Sequence, residues 1–90
     1  MMTEEEKLNR AVNKVLIEKM PFFVCPSVLI NNTQIEFEIS SAPEQEYLKD
    51  LDNSEYKESI KNLISLLFME EEFSEYRNYT VKLRGLINYN

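Results

Sequence analysis

Apolar residues recur at helical spacing in two stretches of this 90-residue chain and alternate with polar residues in two others. In the first stretch Leu8, Ala11, Val12, Val15 and Leu16 form one stripe. Thr3 followed three residues later by Glu6 is a capping box, and Glu4 and Glu5 complement the positive end of the helix dipole. Pro21 stops the pattern, because the residue before a proline is pushed out of the α region. The spacing predicts a helix over residues 4–19.

From Phe22 to Ser40 the period changes. Val28, Leu29 and Ile30 lead into Asn31-Asn32, and Gln34-Ile35-Glu36-Phe37-Glu38-Ile39 then alternates strictly. Two asparagines between apolar runs suit a tight hairpin turn that needs a positive φ. Ile35, Phe37 and Ile39 are predicted to face a core, with Glu36 and Glu38 facing solvent. Pro26 in the first run marks an edge strand or a bulge, since proline has no N–H for a ladder.

Ser41-Ala42-Pro43-Glu44 is a second helix start, with Tyr47, Leu48 and Leu51 as the inner face of a short helix over 43–50. Asp52, with Glu55 three residues on, caps a longer one whose stripe is Tyr56, Ile60, Leu63, Ile64 and Leu67, continuing to about Met69. The step from Phe68 to Phe73 breaks that stripe, so a kink is expected near Glu70, followed by a further turn holding Phe73 and Tyr76. Residues 79–87 alternate again, with Val81 and Leu83 inward and Thr80, Lys82 and Arg84 outward.

Outward Glu36 and Glu38 on one strand match outward Lys82 and Arg84 on another, which places the second hairpin strand beside the C-terminal strand. The predicted architecture is α+β: one domain over residues 1–90 with a three-stranded antiparallel or mixed sheet, helices packed on one face, and the order α-β-β-α-α-β. That order resembles a type II KH domain. The RNA clamp of that family is a Gly-x-x-Gly loop between helices, whereas the one glycine here, Gly85, falls in the last strand. RNA binding therefore does not follow from the resemblance.

Composition narrows the chemistry. With no histidine, no tryptophan, one cysteine and one glycine, the chain has no Cys–His or Ser–His–Asp nucleophilic site. It equally has no histidine- or cysteine-based zinc site, no P-loop and no Rossmann glycine turn. Asp50-Leu51-Asp52-Asn53-Ser54 opens like a calcium loop, but Glu55 stands where glycine is required and Lys61 where glutamate is required. Asp52 reads instead as a helix cap, and no metal or cofactor is expected. Cys25, between Val24 and Pro26, is expected to be buried and inert. No basic n-region or apolar signal core opens the chain and no apolar run is long enough to span a bilayer, so a cytoplasmic location is expected.

Charge is the most informative feature. The formal net charge is −6, which disfavours direct contact with nucleic acid or an anionic membrane. Residues 44–76 hold ten acids against three lysines, whereas residues 77–90 carry a net +3. Within the acidic third, Glu70, Glu71, Glu72 and Glu75 surround the expected kink, beside Phe73 and Tyr76. Aromatic anchors next to charge are typical of interfaces. These six residues are the candidate partner-binding site, the glutamates supplying the electrostatics and the two rings the anchors.

The reading is a non-enzymatic acidic binding protein, a stoichiometric inhibitor of the phage anti-CRISPR, anti-restriction or immunity type. Its expected partner is a larger protein whose basic, nucleic-acid-handling site it occludes. Arg77, Lys82 and Arg84 with Tyr76 and Tyr79 would be a stacking platform for single strands, except that Lys82 and Arg84 are expected to face Glu36 and Glu38. The alternative is a small structural or assembly protein, a homodimer joined along an open edge strand or through Leu86, Ile87 and Tyr89.

Overall fold

The computed structural model describes residues 1–41 and 53–85. The helix expected over 43–50, the Asp52 cap and the Leu86, Ile87 and Tyr89 contact lie outside the described residues. Element order is α1 (Glu4–Lys19), β1 (Phe23–Asn31), β2 (Gln34–Ser41), α2 (Asn53–Leu67), a 3-10 helix (Glu71–Tyr76) and β3 (Thr80–Arg84). The strands form one mixed sheet in the order β1-β2-β3. The antiparallel β1–β2 hairpin turns at Asn32, whose φ of 57° lies in the left-handed region that asparagine tolerates better than most residues. β3 runs parallel to β2, an arrangement that requires a long crossover, and α2 lies in that crossover.

Alternation along each strand sorts the residues between two faces. Phe23, Cys25, Val28, Ile35, Phe37, Ile39 and Leu83 are buried with Leu8, Val12 and Leu16 from α1 and Ile60, Ile64 and Leu67 from α2 in a single core. On the outer face Glu36 lies opposite Lys82 and Glu38 opposite Arg84, the expected cross-strand arrangement. The ion pair itself is diagonal, from Arg84 to Glu36, while Ser27 Oγ on β1 donates to Glu38 at 2.9 Å.

α1 forms as its capping box predicts, with Thr3 Oγ1 accepting from Glu6 N–H at 3.1 Å and Glu6 Oε1 accepting from Thr3 N–H at 2.8 Å. Beside its apolar stripe runs a polar one, Glu5, Asn9 and Asn13 at four-residue spacing, and this stripe meets the edge strand. Pro26 has no N–H, and the β1–β2 register slips between Val24 and Ser27. At that bulge Asn13 replaces a strand neighbour. Its Oδ1 accepts from Cys25 N–H at 2.8 Å and its Nδ2 donates to Cys25 C=O at 2.9 Å. Asn9 Nδ2 donates to the same carbonyl at 2.8 Å, and Glu5 Oε2 accepts from Ile30 N–H at 2.8 Å. Three edge-strand backbone groups, Cys25 N–H and C=O and Ile30 N–H, are thus taken up by the helix instead of standing open to another chain.

Candidate functional site

α2 ends at Leu67, two residues earlier than the apolar pattern predicts, and the chain tightens there. Met69 N–H bonds to Leu66 C=O and Glu70 N–H to Leu67 C=O, both at 3.1 Å and both three residues back. Glu70 is extended (φ −73°, ψ 145°) and makes the break expected at that position. The following 3-10 helix is interrupted at Phe73 (φ −114°, ψ 18°), so it consists of two short turns. Arg77 ties the segment back onto α2. Its Nε and Nη2 each donate at 2.7 Å, to the carbonyls of Phe68 and Met69. A guanidinium fork over helix-terminal carbonyls both satisfies those acceptors and opposes the negative end of the dipole.

Glu70, Glu71, Glu72 and Glu75 are all exposed. Phe73 and Tyr76 are not: they retain 5% and 3% of their accessible surface. The expectation that these two rings stand beside the acids as partner-facing anchors is therefore corrected. A six-residue 3-10 segment has only a few i→i+3 hydrogen bonds of its own, such as Phe73 N–H to Glu70 C=O at 3.1 Å, and burial of its two aromatic side chains adds the packing that fixes it. Tyr76 packs against Phe68 with ring centroids 5.7 Å apart and edge-on against Tyr79 at 5.2 Å.

The fold also divides the acidic run. Glu75 lines a cavity of about 410 Å³ with Tyr76, Tyr79 and two glutamates from the start of α1, Glu4 and Glu5. Tyr76 Oη donates to Glu4 Oε1 at 2.7 Å, joining residues 72 apart in sequence. This hydrogen bond, helped by Lys7 with Nζ 3.3 Å from Glu4 Oε2, holds the Glu4 carboxyl below its ordinary value. Burial, and then the bond to Glu4, holds the Tyr76 phenol well above the usual tyrosine range. Glu70 and Glu72 lie on the other side, along a groove of about 480 Å³ that also has Lys7, Arg10, Lys14 and Glu18 of α1 on its margin. The run thus separates into an all-acidic side and a side of mixed charge.

Glu4 and Glu5 did not figure in the sequence-based site, because the first 20 residues sum to zero charge and first-turn glutamates read as helix-dipole partners. The signal for the groove was the spacing of Lys7, Arg10 and Lys14, which lie on one face of α1. The other expected candidates carry structural roles. Arg77 caps α2 and Arg84 pairs with Glu36, which leaves Lys82 as the one outward cation of β3 among the described residues without an ion pair. Cys25 is buried, donates through Sγ to Ser27 C=O at 3.3 Å, and has its thiol pushed up to about 11 by burial. Among the described residues no three cysteine or carboxylate side chains converge as metal ligands, and no helix is long and apolar enough to cross a membrane. Compared with protein-family models, with curated proteins and with solved structures, the chain matches none of them, so the geometry of this surface carries the functional reading.

Proposed function

We propose that the chain is a non-enzymatic acidic binding protein that occludes a basic, nucleic-acid-handling site on a larger protein by stoichiometric contact. An inhibitor of the anti-restriction, anti-CRISPR or immunity type fits that description. The observation that carries this reading is the construction of the acidic turn. Four exposed glutamates project from a short segment whose underside is fixed by buried Phe73 and Tyr76 and by the Arg77 fork. A turn whose backbone is already fixed has no main-chain freedom left to lose on binding, which favours a docking surface over a merely solvated face. On the other side of the turn Glu75 adds a second group of carboxylates with Glu4 and Glu5, around the Tyr76 hydroxyl. Complementary charge of this kind accelerates encounter with a cationic groove and excludes partners of the wrong sign.

The test is capture by the tagged chain at low and high salt, with a charge-reversed form (Glu70→Lys, Glu71→Lys, Glu72→Lys) in parallel. A basic, nucleic-acid-handling protein should be retained at low salt, be released at high salt and fail to bind the reversed form, which still melts cooperatively. Equal retention by the reversed form would refute the assignment of these glutamates.

A further inference from the structure

We draw no further inference here: the strongest candidate, the groove between α1 and the acidic turn with Lys7, Arg10 and Lys14 set against Glu18, Glu70 and Glu72, carries nothing because its margin is balanced in charge and nothing in the structure shows what covers it.

Discussion

The hydrogen bonds of Asn13 provide the sharpest test of how this fold is held. Replacing Asn13 with Ala removes the acceptor of Cys25 N–H at 2.8 Å and one of two donors to Cys25 C=O. The two backbone groups are affected unequally. The carbonyl keeps its bond from Asn9, so its loss is one ordinary hydrogen bond, about 1 kcal/mol. The N–H, at a bulge where β2 offers no acceptor, is left unpaired in a residue that is 2% exposed, and that costs about 1–3 kcal/mol. Alanine returns about 0.5 kcal/mol through its better helix propensity. The expected net loss is therefore about 2 kcal/mol, a large share of the ~5–10 kcal/mol typical of a small domain.

In a domain of this size that loss corresponds to a fall in Tm of about 8–16 °C. Urea titration with an unchanged m value is the assay. Asn9→Ala is the control, because it leaves both Cys25 groups with a partner, and it should cost about 1 kcal/mol or less. The double variant should cost more than the two singles together, since only then does the carbonyl lose both donors. If Asn13→Ala costs no more than Asn9→Ala, the idea that this side chain substitutes for a missing strand neighbour is refuted.

Other contacts of the fold have measurable consequences too. Glu4 has a lowered pKa in the fold, so its contribution to stability is present above the unfolded value of 4.5 and lost as pH falls through the lowered one. The raised pKa of Tyr76 contributes below the unfolded tyrosine value of about 10 and is lost as pH rises above it, so Tyr76→Phe should flatten alkaline unfolding and let Glu4 titrate nearer 4.5 by NMR. Arg77→Ala should cost about 1–3 kcal/mol and speed amide exchange across Glu70–Tyr76, with Arg77→Lys recovering part of the loss, since an ammonium cannot reproduce the fork. With its thiol held near 11 by burial, Cys25 should react with a thiol reagent at neutral pH far more slowly in the folded chain than in urea; equal rates would contradict its burial.

Elements whose signals are local were legible in the chain alone. The capping box and Pro21 bound α1, strict alternation marked β2 and β3, and Pro26 announced a bulged edge strand, because each rests on neighbours within a turn or a pleat. The pairing of β2 with β3 was also legible, since Glu36 and Glu38 had one plausible set of counter-charges in Lys82 and Arg84.

Where the candidate site residues lie depends on packing between elements. Phe73 and Tyr76 look alike in sequence whether they serve a partner or a core, and packing of the 3-10 segment against α2 and α1 turned them inward. The contact of Tyr76 with Glu4 spans nearly the whole chain, so no local pattern encodes it. The polar stripe Glu5, Asn9 and Asn13 reads as a solvated helix face until α1 is laid along the β1 edge, where the same amides become its backbone partners. A linear charge run likewise cannot show that Glu75 joins Glu4 and Glu5 while Glu70 and Glu72 lie across a groove from Lys7, Arg10 and Lys14. Side-chain periodicity is a property of one element. Which face meets which, and therefore which charges share a surface, is fixed only when the elements bury their apolar faces against one another.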